Sequence, residues 1–236
     1  MSYLLFIPTL NEVGNIEPIL ISIIENYPDL NILIVDDNSS DGTVDSIMAI
    51  KRKAKSLTLI SRPSKLGIGS AHKFALNFAQ KNKYDFLITM DGDGAHKPEL
   101  ISTILENSSN YDLIIGSRYL VKNSLTEWNL FRKTLTRLIH LLTRVSLSLQ
   151  YDSSSAFRCY KIHKMPEILF SGLKSEGYDF FFESLFELTE YKNIKIYEIP
   201  IYLPARVYGN SKLTLGLALK AGITLLNLVK KRFLKN

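Results

Sequence analysis

A single cysteine, Cys159, occurs in 236 residues. That excludes an intrachain disulfide framework and any cysteine-built metal cluster. No run reaches the roughly 18 uninterrupted apolar residues of a membrane-spanning helix. The nearest approach, Leu213 to Val229, is broken by Lys220. A basic leader is missing as well. Met1-Ser2-Tyr3 runs straight into Leu4-Leu5-Phe6-Ile7, too short an apolar stretch for a signal-peptide core. A cytoplasmic location is therefore expected. Internal repeats and low-complexity linkers are absent, and no nucleic-acid reader motif is recognisable, so nucleic acid is not an expected partner. Acidic residues are in deficit, 23 against 29 Lys and Arg, a net charge of +6. The surplus favours an anionic partner such as nucleotide phosphate or anionic lipid. What is present is ordinary for a folded domain. With 46% hydrophobic and 22% charged residues, a chain of this length buries a core without disulfide or zinc.

The first half alternates short apolar runs with helical periods. Leu4–Ile7, Ile32–Val35, Leu57–Ile60, Phe86–Met90 and Leu113–Ile115 are nearly continuously apolar, as strands buried on both faces are. Ile16, Ile19, Leu20, Ile23, Ile24 and Tyr27 follow the i, i+3, i+4, i+7 spacing of one buried helix face. Helices are also predicted from Asp41-Gly42-Thr43, through Ala71–Ala79, and from Lys97-Pro98-Glu99. Repeated βα units imply an α/β fold with a Rossmann-like, mostly parallel sheet flanked by helices. After Arg118 the pattern changes. It predicts a long helix over 127–149, a polar loop over 152–158, a helix over 179–191, a strand over 194–199 and a final helix from about Lys212. With no clean boundary between the halves, the second half should complete the sheet rather than fold alone.

Three polar clusters follow apolar strands: Pro8-Thr9-Leu10-Asn11-Glu12, Asp36-Asp37-Asn38-Ser39-Ser40-Asp41-Gly42 and Asp91-Gly92-Asp93-Gly94. Ligands of open parallel sheets bind at the carboxyl ends of strands, so all three should face one crevice. So many acids repel one another unless cations or hydrogen-bond donors offset them. Asp91 and Asp93 suit a hard cation, because Mg²⁺ takes one or two carboxylates and completes its shell with water and phosphate. Each element alone is weak evidence. Asp-x-Asp occurs by chance, and Asp41 reads most simply as a helix cap.

Taken together and in order, the motifs resemble the family-2 glycosyltransferases of GT-A fold. More narrowly they resemble dolichol-phosphate mannosyltransferases and polyprenyl-phosphate glycosyltransferases. In the donor half they are Pro8-Thr9-x-Asn11-Glu12, Val35-Asp36-Asp37-Asn38-Ser39-x-Asp41-Gly42-Thr43, Arg62-x-x-Lys65-x-Gly67-x-Gly69-x-Ala71, Met90-Asp91-x-Asp93 and His96-x-Pro98. Beyond it stand Gly116-Ser117-Arg118-Tyr119, Trp128-x-x-x-Arg132, Phe157-Arg158-x-Tyr160, Gly177-Tyr178 with Glu183, Glu198-x-Pro200-Ile201 and Arg206-x-x-Gly209-x-Ser211-Lys212. The resemblance implies a GT-A domain over 1–212 with a C-terminal helical and strand extension. Residues 1–118 would form the nucleotide-sugar-binding half and 119–212 the acceptor half. An amphipathic helix over 213–236 would lie at a membrane interface.

The resemblance further implies a metal-dependent, inverting transfer of a mannose- or glucose-type sugar from GDP-mannose or a UDP-hexose to polyprenyl or dolichyl phosphate. Pro8, Glu12, Asp37, Lys65 and Asp91 would hold the donor nucleotide. Asp91 and Asp93 would hold Mg²⁺ or Mn²⁺. Arg118, Arg132, Arg206 and Lys212 would hold the acceptor phosphate, with Asp93, Arg118 and Arg132 counted as catalytic. A lipid phosphate needs little help to react, since its second pKa near 6 leaves it largely ionised at pH 7. Arg is suited to gripping it in bidentate fashion. One departure stands out. Relatives often carry Gln or Ser two positions beyond the second Asp, where this chain has Ala95, which puts a third protein ligand in doubt. His96 reads as structural. Peripheral attachment to the cytoplasmic face of a membrane is expected through the basic helices, with a separate membrane subunit as a further candidate partner. The competing reading is a family-2 enzyme acting on a hydroxyl of a glycan or glycolipid. A phospho-receiver module is disfavoured by Asp91, Asp93 and the long second half, and a nucleotidyltransferase by the lack of a basic Gly-rich loop after the first strand.

Overall fold

The computed structural model describes residues 1–125, 130–191, 193–204 and 215–235, without the side chains of residues 131, 132, 215 and 235. Among these residues seven strands form one sheet: β1 (Tyr3–Thr9), β2 (Asn31–Asp36), β3 (Leu57–Ser61), β4 (Phe86–Thr89), β5 (Leu113–Ser117), β6 (Arg158–Lys161) and β7 (Ile196–Pro200). The helices are α1 (Val13–Asn26), α2 (Thr43–Lys51), α3 (Ile68–Lys81), α4 (Leu100–Asn107), α5 (Leu130–Leu147), α6 (Phe180–Thr189) and α7 (Leu215–Lys235). The spatial order of strands is β3-β2-β1-β4-β6-β5-β7. All neighbours are parallel except at β6, which runs antiparallel to both β4 and β5.

The apolar runs are continuous because each strand feeds two cores. Along β1, Leu4 and Phe6 enter one buried cluster while Leu5 and Ile7 enter the other, the period-2 alternation of a strand. α1 places Ile16, Ile19, Leu20 and Ile23 on the second cluster. On the opposite face α3 presents Ala71, Ala75 and Ala79, whose small side chains let the helix lie close to the sheet. α6 is buried all round through Phe180, Phe181, Phe182, Leu185 and Phe186.

Two features of the second half position the site. β6 and β7 take places inside the same sheet, as the absence of a boundary suggested. β6, however, begins at Arg158, within the stretch that polarity alone marks as loop. Arg158 pairs with Thr89 and Ile115, near the carboxyl ends of β4 and β5. Reversing that one strand carries the preceding loop, 151–157, to the edge where the parallel strands end.

Candidate active site

One cavity of about 250 Å³ opens at that edge. Pro8, Glu12, Asp37, Lys65, Asp91, Asp93 and Arg118 all line it. Residues 205–214, with Arg206 and Lys212, and the side chain of Arg132 lie outside the described residues, as does Trp128.

The first two clusters are braced before any ligand arrives. Asp36 is fully buried and accepts hydrogen bonds from Thr9 Oγ1 at 2.8 Å and from the Ser39 amide at 2.9 Å. It therefore closes the turn rather than facing the crevice. Asn11 sits at φ 53° and accepts the Ser40 amide through Oδ1. Asp41 is not itself the N-cap of α2, a position Gly42 takes, but its carboxylate accepts two helix-start amides, Thr43 at 3.0 Å and Val13 at 3.1 Å. Glu12 accepts Asn15 Nδ2 at 2.8 Å.

Asp37 has a task that spacing did not reveal. Its carboxylate accepts the Leu66 and Gly67 amides, each at 2.8 Å, and Arg62 Nη1 at 3.2 Å. It thereby folds the 62–67 loop that carries Lys65 to the cavity wall. The two glycines of that motif follow from close backbone approach. Gly67 sits at φ +95°, and a Cβ there would lie 2.4 Å from the Glu176 carbonyl oxygen. The Gly69 amide donates to that same oxygen at 2.8 Å.

The Asp-x-Asp segment follows β4. Asp93 is 5% exposed, and its Oδ1 accepts the Ala95 amide at 3.0 Å. Asp91 donates its amide to His96 Nδ1 at 3.0 Å. The His96 proton therefore resides on Nε2, so neither ring nitrogen has a lone pair left for a metal. Burial, foremost, pushes the His96 imidazole down to about 4, which keeps it neutral. Among the described residues no group of three His, Cys, Asp or Glu side chains is placed to share a metal. The donor set is two carboxylates on one wall of the cavity. That fits an ion completing its shell with phosphate and water, as Mg²⁺ does, and Ala95 adds no side-chain ligand.

Arg118 follows β5 and is only 6% exposed. Asp152 holds it from three directions: Nε to Oδ2 at 2.8 Å, Nη2 to Oδ1 at 2.6 Å, and the Arg118 amide to Oδ2 at 3.1 Å. Nη2 also donates to Ser154 Oγ at 2.6 Å. Burial raises the Asp152 carboxyl, but the guanidinium charge and its hydrogen bonds outweigh this and leave the group below its ordinary value. The Asp152 amide in turn donates to Glu198 Oε1 at 2.6 Å. Tyr119 stacks on His140 of α5 with ring centroids 3.8 Å apart, fastening that helix beside Arg118.

Arg158, fully buried, meets no carboxylate among the described residues. It donates to the carbonyls of Ser155 (2.9 Å), Ser153 (3.3 Å) and Phe181 (2.8 Å), and to Ser184 Oγ (3.0 Å) and Tyr160 Oη (3.3 Å). It ties the 153–155 loop, whose Ser154 and Ser155 line the cavity, to α6. Sequence reasoning assigned roles to neither Asp152 nor Arg158. The available signal was an acid and a base bracketing a Ser-rich segment beside the Phe157-Arg158-x-Tyr160 motif.

The family model described as "Glycosyl transferase family 2" matches residues 5–165, more than half of the chain. The chain belongs to the family-2 glycosyltransferases. This glycosyltransferase is 31% identical over 218 residues to the undecaprenyl-phosphate mannosyltransferase of Micrococcus luteus, covering 92% of this chain and 89% of that one. It is 30% identical over 215 residues to the polyprenol monophosphomannose synthase of Mycolicibacterium smegmatis, covering 89% and 80%. In fold it resembles the glucosyl-3-phosphoglycerate synthase of Mycobacterium tuberculosis, crystallised with Mn²⁺, UDP and glucosyl-3-phosphoglycerate. The TM-score is 0.69 at 18% identity over 97% of this chain and 80% of that one. The glycosyltransferase thus has the GT-A fold that the resemblance implies, built on the mostly parallel sheet that its βα pattern predicts.

Proposed function

We propose that this enzyme transfers a hexose, mannose in the first instance, from a nucleotide-diphosphate sugar to a polyprenyl phosphate with inversion at the anomeric carbon. The observation that carries the reading is the division of the cavity wall. Among the described residues, every carboxylate lining it comes from the first half: Glu12, Asp37, Asp91 and Asp93. The described part of the second half contributes Thr136, Ser154, Ser155 and Tyr178 with apolar neighbours, and no acid, and Arg118 stands at the boundary between the halves. An acceptor hydroxyl usually calls for a carboxylate base. An acceptor phosphate is already ionised and calls for a positioned cation instead. The names of the two relatives support the same acceptor class.

In this reading residues 1–118 bind the donor. Glu12, Asp37 and Lys65 surround the nucleotide, and Asp91 with Asp93 would hold Mg²⁺ or Mn²⁺. Such an ion would neutralise charge on the departing diphosphate. Residues 119–212 bind the acceptor beside Arg118, with Arg132, Arg206 and Lys212 as further cations. Because Asp152 holds its Nε and Nη2 groups, Arg118 is oriented before the phosphate arrives, and its burial strengthens the attraction. The enzyme would work peripherally at the cytoplasmic face of a membrane, since its acceptor resides there. The test is a panel of radiolabelled nucleotide sugars, GDP-mannose and UDP-hexoses, with polyprenyl phosphate, with and without Mg²⁺ or Mn²⁺. Label should enter the organic phase only with metal. Transfer to soluble sugars with none to the lipid would refute the acceptor assignment.

A further inference from the structure

His96 stands where the two walls of the cavity meet. It lines that cavity together with Asp91, Asp93 and Arg118 and is 2% exposed. Its backbone setting is rigid. One residue before it, the Ala95 amide is held by Asp93 Oδ1. Just after it, the Leu100 and Ile101 amides donate to the Lys97 and Pro98 carbonyls and open α4, which is anchored in the core by Ile101 and Ile104. The imidazole packs against Phe157, the residue before β6, with ring centroids 5.2 Å apart.

The two ring nitrogens have different fates. Nδ1 is taken by the Asp91 amide at 3.0 Å. Nε2 carries the proton, and no described residue accepts it. Sealed nitrogens without a partner do occur among the described residues, at His72 Nε2 and His140 Nδ1, but His96 Nε2 is not one of them. It keeps an opening, and the space it opens on is the cavity the ring lines. A donor so deeply placed gains when an oxygen arrives to accept its proton. The charged groups that act on the ring are Asp93 on the donor side and Arg118 with Asp152 on the acceptor side.

We infer that His96 is a substrate-binding residue whose Nε2–H donates to a phosphate oxygen between the Asp91/Asp93 pair and Arg118, while its Nδ1 fixes the Asp91 backbone. A neutral donor suits that position. It can touch an anionic oxygen without repelling a cation held by the two aspartates, as a lysine or arginine there would. The oxygen belongs to the donor's diphosphate or to the acceptor phosphate, which present the same chemistry to an N–H group. The inference rests on the reading of the cavity as a sugar-transfer site between two phosphates. One ring would then tie the backbone of a metal-binding carboxylate to the group being bound.

Two near-isosteres separate the two nitrogens. His96→Asn puts an acceptor oxygen where Nδ1 was and nothing where Nε2 was. His96→Gln reaches the Nε2 position with an amide donor and gives up the Nδ1 acceptor. The full chain is titrated calorimetrically with UDP and GDP in Mg²⁺, and KM is measured for a short-chain, water-soluble prenyl phosphate. In His96→Asn one of the two phosphates should bind about 10- to 100-fold more weakly, the share of one hydrogen bond to a charged group. Which phosphate loses affinity names the source of the oxygen. His96→Gln should restore most of that loss. In protein labelled with ¹⁵N-histidine, the Nε2 signal, assigned by its disappearance in His96→Asn, should report a protonated nitrogen and move when the same ligand saturates the site. Wild-type affinity of His96→Asn for both ligands, a weaker His96→Gln than His96→Asn for both, or an Nε2 signal that neither ligand moves would each overturn the inference. If His96→Asn fails to fold, the wild-type Nε2 signal decides, assigned through His96→Gln. Wild type that transfers nothing to the prenyl phosphate would sink the acceptor reading, and the nucleotide arm would still judge His96.

Discussion

Asp152 offers the sharpest test of how the site is built. Replacing it with alanine leaves the Arg118 guanidinium 6% exposed with its counter-charge gone. It also removes the acceptor for three Arg118 donors and for the Ser154 amide at 3.3 Å. Removing one member of a buried pair costs about 3–5 kcal/mol, mostly because the survivor is stranded. At about 2–4 °C per kcal/mol for a chain of this size, the melting temperature should fall by roughly 6–20 °C. Asp152→Asn keeps the shape and removes the charge, so its loss of stability should depend on pH. The folded carboxyl lies below its ordinary value of 3.8. The stability it contributes is complete above that value and is lost as pH falls through the depressed one. The gap between wild type and Asp152→Asn in urea melts should be full at pH 7 and close progressively below about pH 4. Activity separates positioning from mere stability. At a temperature where both proteins are folded, Asp152→Asn should raise KM for the prenyl phosphate and leave KM for the donor nearly unchanged. In a double-mutant cycle, adding Arg118→Ala to Asp152→Ala should cost far less than the sum of the single losses. Wild-type melting temperature and wild-type acceptor KM in Asp152→Ala would refute the reasoning.

Three further outcomes follow from the same geometry. Asp93→Ala should abolish metal-stimulated transfer while the fold melts within a few degrees of wild type, measured by the label-partition assay and thermal unfolding; undiminished transfer would remove the metal assignment. Gly67→Ala places a Cβ 2.4 Å from the Glu176 carbonyl at φ +95°. It should cost about 1–3 kcal/mol and raise donor KM, because the loop carrying Lys65 must shift. His72 is buried among Phe6, Phe180 and Phe181, and burial chiefly pushes its imidazole down to about 3. The unfolded chain therefore binds a proton that the folded one refuses, so stability falls with pH below about 6.5. The loss at pH 5 is about 2 kcal/mol. His72→Phe should remove that slope in chemical denaturation at pH 7 and pH 5.

The parallel half of the fold was legible because its strands are buried on both faces and read as unbroken apolar runs, and because its turns carry acids at fixed places. Legibility failed where tertiary pairing overrides local character. β6 opens on Arg158, a charged residue at the start of a four-residue strand, and nothing local distinguishes it from the Ser-rich loop before it. Its burial depends on carbonyls of residues 153, 155 and 181, which only the folded chain assembles. The three clusters did converge, but not every acid in them faces the crevice. Asp36 and Asp41 are spent on turns, and Asp37 braces a loop while lining the wall. Residue type gave the charge and spacing gave the strand end. Which carboxylate accepts protein amides is set by backbone geometry that spacing does not encode.

The reversal of β6 also explains why one sheet presents two chemistries at one edge. Parallel βα units bring carboxylates and helix starts to the carboxyl ends of strands, which suits a nucleotide and a cation. A parallel strand in the sixth place would have delivered its following loop to that edge. An antiparallel one delivers the loop before it, 151–157, with Asp152 and Ser154 on Arg118. The Asp152 amide reaches Glu198 on β7, the neighbour of β5. Arg118 is thus held from the opposite end of the cavity wall from the acids that follow β1, β2 and β4. Had the cation been carried on an exposed loop, water would screen it and its side chain would lose entropy on binding phosphate. Buried and already paired, it keeps its orientation at the cost of depending on Asp152, which is why a residue in an unremarkable polar stretch should matter as much as the arginine it holds.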